Sequence, residues 1–219
     1  MEISYWKSRW RKGNIGWHMD HVFPPLTAFW SALALAEGTT VLVPLCGKSP
    51  DLQWLADLGH KVVGVEASGK AIKEFIAHSP ESFTRTERYG YPIFESPSIT
   101  LWQGNFLSLP TQATGPLDAI YDKASLVALP PDTRPQYAHK LLQLCGSHTQ
   151  LFLQTFEYEQ EEMNGPPFSV PLSEVQTLFG NHFTIRLLQE ESRLAEVQKF
   201  QQRGLSSHFV EKIYHLYTS

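Results

Sequence analysis

The sequence predicts an open, mainly parallel α/β sheet with helices on both faces, and three observations carry that prediction. From residue 40 onward, short apolar runs rich in β-branched residues alternate with amphipathic segments, as in strands buried on both faces and joined by helical crossovers. Helix signals fall between the runs, with Ser or Ser-Pro at the starts and Gly at the stops. A glycine turn follows the first run and an acid ends the second, at the carboxyl ends of strands where such sheets bind their ligands.

Residues 39–45, Thr-Val-Leu-Val-Pro preceded by Thr and followed by Leu, read as the first strand. Ser49 is expected to cap a helix with Pro50 at its first position, Leu52, Leu55 and Leu58 on one face, and Gly59 as its stop. Residues 61–65 form the next strand, ending at Glu66, and Ser68 caps a second helix through His78 with Ile72, Phe75 and Ile76 inward. Residues 80–98 are polar and aromatic, broken by Pro80, Gly90, Pro92 and Pro97, and read as a long surface excursion. Strands follow at 99–102 and 117–121, then a helix through Pro135, Tyr137, Leu141 and Leu144 that stops at Gly146, then a strand at 149–156. Ser173-Glu-Val-Gln176 has the capping-box pattern before Leu178 and Phe179, and residues 183–188 and 209–217 close the chain as strands.

Length and composition bound the rest. The 219 residues are 42% hydrophobic and 18% charged, enough for a buried core, and one domain over 1–219 is expected. Lys and Arg total 18 against 22 Asp and Glu, a net charge of −4 that disfavours nucleic acid as a main partner. The longest apolar stretch, 26–36, falls far short of the roughly 20 residues that span a bilayer. The N-terminus has cations but no apolar segment of a secretory signal. Two cysteines, Cys46 and Cys145, make no disulfide framework, so a reducing cytoplasm and a monomer are expected.

The informative segment is Val41-Leu-Val-Pro-Leu-Cys-Gly-Lys-Ser-Pro-Asp51, with Glu66 after the next strand. Gly47 lets backbone approach a ligand closely, and Glu66 stands where an acid takes ribose hydroxyls. A dinucleotide site would need G-x-G-x-x-G for its pyrophosphate, and only Gly47 is present. Gly47-Lys-Ser49 copies the tail of a P-loop, yet the position of its opening glycine holds Leu42. A nucleoside without phosphates, carrying a sulfonium and an amino-acid tail, suits a short loop plus a ribose acid: S-adenosylmethionine.

The chain resembles the thiopurine S-methyltransferases, bacterial members above all, collinearly over nearly its whole length. The resemblance rests on Tyr5-Trp-Lys-Ser-Arg-Trp10 with Gly13 and Trp17-His18, on Pro44-Leu-Cys-Gly-Lys-Ser-Pro-Asp51, Val63-Gly-Val-Glu66 and Gly104-Asn-Phe106, and on Ile120-Tyr-Asp-Lys-Ala-Ser-Leu-Val-Ala-Leu129. It continues through Gly165-Pro-Pro-Phe168 and Gly204-Leu-Ser with Tyr214. It implies the class I S-adenosylmethionine-dependent methyltransferase (Rossmann-like) fold, seven strands with the last inserted antiparallel, and methyl transfer to an aromatic or heterocyclic thiol with S-adenosylhomocysteine as product. By position it makes Trp10 a cover over the cofactor and residues 1–20 a lid. It puts Leu45 on the methionine part, Glu66 on the ribose, Asn105 and Phe106 at the adenine, and Trp17 at the substrate. Lys123 stands where the family usually has Arg, keeping the charge without the planar fork, and is the candidate catalytic cation as well as a cofactor contact. Asn105 likewise replaces a frequent Asp.

Other readings of the same features are a methyl acceptor such as halide, thiocyanate or an oxidised selenium or tellurium species, and a non-catalytic cofactor-binding or nucleic-acid module. Lys7, Arg9, Arg11 and Lys12 among Trp6, Trp10 and Trp17 would suit single strands, but the overall acidity opposes it. His18 and His21 lack a third ligand for a metal, and none is expected. Cys46 is expected to pack rather than react, and Glu157, Glu159, Glu161 and Glu162 to form a solvated loop.

Overall fold

The structure, a computed structural model, describes residues 3–218. Its strands are β1 (Thr40–Pro44), β2 (Lys61–Glu66), β3 (Thr84–Arg88), β4 (Tyr91–Glu95), β5 (Ile99–Gln103), β6 (Ala119–Asp122), β7 (Gln150–Glu157), β8 (Thr184–Ser192) and β9 (Val210–Tyr217). Its helices are α1 (Ile3–Lys12), α2 (Pro24–Phe29), α3 (Asp51–Asp57), α4 (Gly69–His78), α5 (Arg134–Leu144), α6 (Leu172–Phe179) and α7 (Gln198–Gln201). The strands form one sheet in the order β3-β4-β5-β2-β1-β6-β7-β9-β8.

The pairs β5-β2, β2-β1, β1-β6 and β6-β7 are parallel, and β9 runs antiparallel between β7 and β8. Among the parallel strands chain order moves outward from β1 through β2 to β5 and from β6 to β7, so the sheet reverses between β1 and β6, where their carboxyl ends open a crevice. One face is covered by α2, α3 and α4 through Leu26, Leu52, Leu55, Ile72 and Phe75. The other is covered by α5 and α6 through Tyr137, Leu141, Val175 and Phe179. That two-sided cover explains why the central strands read as continuous apolar runs.

Seven of the strands coincide with the expected ones to within a few residues, and the expected count of seven is corrected to nine. The two additional strands, β3 and β4, form a hairpin inside the segment read as a surface excursion, and β4 pairs antiparallel with β5. Every residue of β3 is exposed, so it has no apolar alternation to reveal it. Pro92 misled for a related reason: β4 meets β5 only from Ile93 onward, so no ladder bond to β5 is asked of that proline. The capping box is also corrected. α6 starts at Leu172 with Pro171 before it, which places Ser173 inside the first turn and its side chain past the cap. Ser49 does not cap α3 in the expected sense, since Pro50 takes the cap position, although Ser49 Oγ accepts from Asp51 N at 3.4 Å. Ser68 does cap α4, accepting from Ala71 N at 3.4 Å.

Candidate active site

The loops after β1, β2, β5 and β6 converge at the reversal point of the sheet. After β1 the chain turns by left-handed backbone at Leu45 (φ 50°) and Gly47 (φ 59°). A leucine holds that conformation only against a local cost, so the turn is imposed by its surroundings. The loop is tied back to β2 at two points, Cys46 N donating to Val65 O at 3.1 Å and Gly47 N to Glu66 Oε2 at 2.9 Å.

Glu66 is the knot between the two loops, because its other oxygen accepts from Ser68 N at 2.6 Å. Burial raises its pKa above the usual carboxylate range, and the backbone donors at Ser68 and Gly47 oppose that rise. Gly47 N and Ser68 N each bond one oxygen, the Ala67 backbone N–H also favours the ionised form, and the carboxylate keeps lone pairs for a further donor.

Trp10, on α1, is 3% exposed and lies against the glycine loop: a Cβ at Gly47 would stand 3.1 Å from Trp10 Cζ2. Trp17 meets Trp10 edge-on at 6.0 Å and Trp6 at 5.1 Å, with the Arg9 guanidinium 5.6 Å from the Trp17 ring. The N-terminal aromatics are therefore one packed unit resting on the β1 loop. Asn105 spends its Oδ1 on Leu107 N at 3.1 Å, and its carbonyl accepts from Tyr91 OH at 3.1 Å. The Phe106 ring is 2% exposed and packs 5.4 Å from Tyr137, so the side chain is part of the core under α5.

Lys123 follows β6. Its ammonium lies 5.6 Å from the Phe23 ring centre, and it forms no salt bridge among the described residues. Burial lowers its pKa, while the charges of Asp51 and Glu211 work the other way. It is not a surface lysine paired with Asp122. Successive residues leave a strand on opposite faces, and Asp122 turns to the α5 side, where it accepts from Tyr137 OH at 2.7 Å and from Ser125 N and Leu126 N at 3.2 Å. Burial pushes Asp122 up to about 6.

Sequence reading did not single out Asp51, Glu211 or His18. Asp51, 1% exposed, accepts from Phe23 N at 2.8 Å and from Tyr121 OH at 2.8 Å, pinning the segment before α2 to the sheet beneath Lys123. Glu211, 5% exposed, is held by Gln154 and by Arg193 Nε and Nη2, each at 3.2 Å for the arginine. Burial and the charges of Lys48 and Lys123 lower the His18 pKa; it had been weighed only as a metal ligand beside His21. Asp51 carried a signal, an acid ending the Pro44-to-Asp51 run, whereas Glu211 lies far along the chain with no motif around it.

Among the described residues no three His, Cys, Asp or Glu side chains converge to hold a metal ion. Burial drives the Cys46 thiol well above its ordinary range, so it packs and does not ionise. Of the acidic run, Glu159 and Glu161 are solvated as expected, whereas Glu157, at the end of β7, pairs with Lys212 at 2.8 Å, and Glu162 accepts from Ser206 N at 2.7 Å and Ser207 N at 3.0 Å, which pulls it down to about 2. A cavity of about 350 Å³ lies between Gly16 and the segment Glu196, Val197, Gln198, Lys199 and Phe200, bordering the N-terminal unit. No helix is long and apolar enough to cross a membrane among the described residues.

Known proteins share this arrangement. A solved methyltransferase from Burkholderia thailandensis, which acts at N1 of 1,6-didemethyltoxoflavin and holds that compound and S-adenosylhomocysteine, superposes with a TM-score of 0.64 over 99% of this chain and 87% of its own, at 16% identity; this likeness speaks to the fold alone. Sequence relatives are far nearer. A thiopurine S-methyltransferase of Pseudomonas fluorescens is 39% identical over 216 residues, 99% of each chain, and one of Nitrosospira multiformis is 41% identical over 206 residues, 94% of each. The family model for thiopurine S-methyltransferase matches residues 1–219, end to end. With sheet order, switch-point loops and full-length similarity in agreement, this chain belongs to the thiopurine S-methyltransferase family.

Proposed function

We propose that the protein transfers a methyl group from S-adenosylmethionine to the sulfur of a thiopurine or another aromatic or heterocyclic thiol. The observation that carries this reading is Glu66: a buried carboxylate at the end of β2, its oxygens 2.9 Å and 2.6 Å from the backbone nitrogens of the loops after β1 and β2, with lone pairs left for a further donor. Such a group suits ribose hydroxyls. The left-handed turn at Leu45 and Gly47, with Trp10 closed over it, leaves a narrow backbone cradle and supplies no pyrophosphate nest. The family assignment agrees, since its members carry this activity in their name.

When bound, the cofactor supplies an electrophilic methyl group on a sulfonium. The chain's residues then have three tasks. Glu66 and the β1 loop orient the nucleoside, Trp10 and Trp17 exclude water, and Lys123 favours the anionic form of the acceptor sulfur. With the cofactor bound, the acceptor sulfur would take its methyl group, the S–C bond made replacing the sulfonium S–C bond broken, after the thiol proton had gone to solvent. No strong base is called for, because heterocyclic thiols are largely ionised near neutral pH.

The same reading makes residues 1–20 a lid, of which Met1 and Glu2 lie outside the described residues. Its support is the packing of Trp6, Trp10 and Trp17 on the β1 loop, and the cavity between Gly16 and Lys199 is a fitting mouth for the acceptor. Small soft anions remain a second reading, favoured by a partly buried cation that forms no ion pair of its own. One assay tests all of this: radiolabelled methyl transfer across a panel of thiopurines, thiophenols, thiocyanate, iodide, selenite and tellurite. Turnover highest on heterocyclic thiols is expected; turnover on the inorganic anions alone would overturn it, and no transfer to any acceptor would sink the enzyme reading.

A further inference from the structure

A second cavity, of about 300 Å³, opens at the opposite edge of the sheet from Glu66 and Lys123. It is lined by His148 and Gln150 at the start of β7, Arg186 on β8, and His215, Tyr217 and Thr218 at the end of β9. None of these side chains is acidic. β8 beside the cavity is the edge strand of the sheet, with Arg186 exposed on it.

His215 sits in the wall of this cavity at 6% exposure, paired across the ladders with Phe152 on one side and Arg186 on the other. Its protonation pattern can be read from the neighbours. Gln150 Nε2 donates to Leu33 O at 3.0 Å, which fixes the amide and turns Oε1 to His215 Nε2 at 2.6 Å. An amide oxygen only accepts, so Nε2 carries the proton and Nδ1 of the neutral ring is a bare acceptor. That Nδ1 is buried and has no partner among the described residues, and Arg186 has no ion pair there. Burial and the Arg186 charge keep the ring neutral. The titratable or charged groups facing it are Arg186, His148 and Tyr217, whose ring is 5.0 Å away.

A ligand that satisfies both orphans must accept from a guanidinium and donate to an imidazole nitrogen. We infer that this cavity binds inorganic phosphate as its hydrogen phosphate ion, with its anionic oxygens on Arg186 and its remaining P–OH donating to His215 Nδ1. Near neutral pH phosphate retains that proton. Sulfate matches it in shape and charge but has no proton to donate, so the two anions separate this built arrangement from a general attraction to cations.

The test is nitrogen-detected NMR of the histidines in the intact protein, titrated at pH 7.5 with inorganic phosphate, glycerol phosphate and sulfate. Before titration His215 is expected as the Nε2–H tautomer. Phosphate should then move its Nδ1 signal to saturation, with sulfate at least tenfold weaker. Glycerol phosphate, a dianion with no P–OH at this pH, should bind no better than sulfate, and affinity equal to that of phosphate would overturn the donated proton. Arg186→Gln, an exposed position, should weaken phosphate at least tenfold with methyl transfer unchanged and with a folded spectrum. An unmoved Nδ1, equal affinity for sulfate at pH 7.5, or full affinity in Arg186→Gln would each overturn the site.

Discussion

The Trp10 indole rests on Gly47 so closely that a Cβ there would lie 3.1 Å from Cζ2, and the glycine adopts φ 59° to make the turn. Two separate demands thus fall on one residue, conformational and steric. Gly47→Ala should lose about 1–2 kcal/mol from left-handed strain, and more from the displaced indole. A double-mutant cycle with Trp10→Ala separates the terms: the steric part disappears in the double variant, measured by urea unfolding, while the strain remains. Full additivity would mean that the lid does not press on the loop.

Trp10 itself distinguishes lid from core. As plain packing, Trp10→Ala would cost about 3–5 kcal/mol of stability. As a cover over the cofactor it should weaken S-adenosylhomocysteine binding, read by calorimetry, by a larger factor than it lowers unfolding free energy. The opposite order would reduce the N-terminal aromatics to a structural cluster.

Glu66 predicts a pH effect whose sign follows from its burial. Its folded pKa lies above the ordinary value, so the empty site takes up a proton earlier on acidification than an exposed carboxylate does. Ribose hydroxyls donate best to the ionised form. Cofactor affinity should therefore decline as pH falls toward and through that raised pKa, and be flat above it. Glu66→Gln should remove the pH dependence and cost about 1–3 kcal/mol, since the amide NH₂ must oppose one of the two backbone donors. An equally pH-dependent Glu66→Gln variant would place the titrating group elsewhere.

Much of this was legible in the residues. The central parallel strands announce themselves because burial on both faces demands continuous apolar runs, Gly47 because a close left-handed turn favours glycine, and Glu66 because an acid interrupts the apolar run at the end of β2. The β3–β4 hairpin was not legible, since an edge strand exposed along its length carries Thr-Arg-Thr-Glu-Arg and no apolar period. Nor were Asp51 and Glu211 as neighbours of Lys123. Asp51 works through backbone and hydroxyl donors 28 and 70 residues away, and such pairings exist only once the sheet has formed. Nor was the placement of the Phe106 side chain, whose ring packs into the core against Tyr137.

Asp122 gives a stability prediction with a definite sign. Its pKa is about 6 in the folded chain against an ordinary 3.8, so folding favours the protonated acid. The stabilising linkage is present below about pH 4 and is lost as pH rises to 6, on the order of 3 kcal/mol in all. Asp122→Asn has no charge to bury. Relative to the parent it should therefore gain stability by that order between pH 4 and pH 7 in urea unfolding, whereas a constant difference would refute the shift. Asp122→Ala should instead be destabilised throughout, because Tyr137 OH and two backbone donors lose their acceptor.

Lys123 carries the last prediction. Its ammonium is partly buried, 5.6 Å from the Phe23 ring, with its pKa lowered by burial and partly restored by Asp51 and Glu211. A cation that stabilises the acceptor thiolate contributes only while protonated, so turnover should fall on an alkaline limb that begins below the ordinary lysine range. Lys123→Met should lower turnover about tenfold or more, each 1.4 kcal/mol of lost stabilisation being a factor of ten. Lys123→Arg keeps the charge at every accessible pH and can hold its position over Phe23, so it should retain activity and lose the alkaline limb. The kinetic constants then divide the two possible roles. A contact to the cofactor carboxylate would raise the KM for S-adenosylmethionine in Lys123→Met, whereas thiolate stabilisation would move the acid limb upward with the pKa of the acceptor thiol. If Lys123→Met alters neither quantity and Lys123→Arg keeps the limb, the lysine is a bystander, and the cation for this chemistry must be sought at Lys48 or Lys199, the lysines near the site and its mouth.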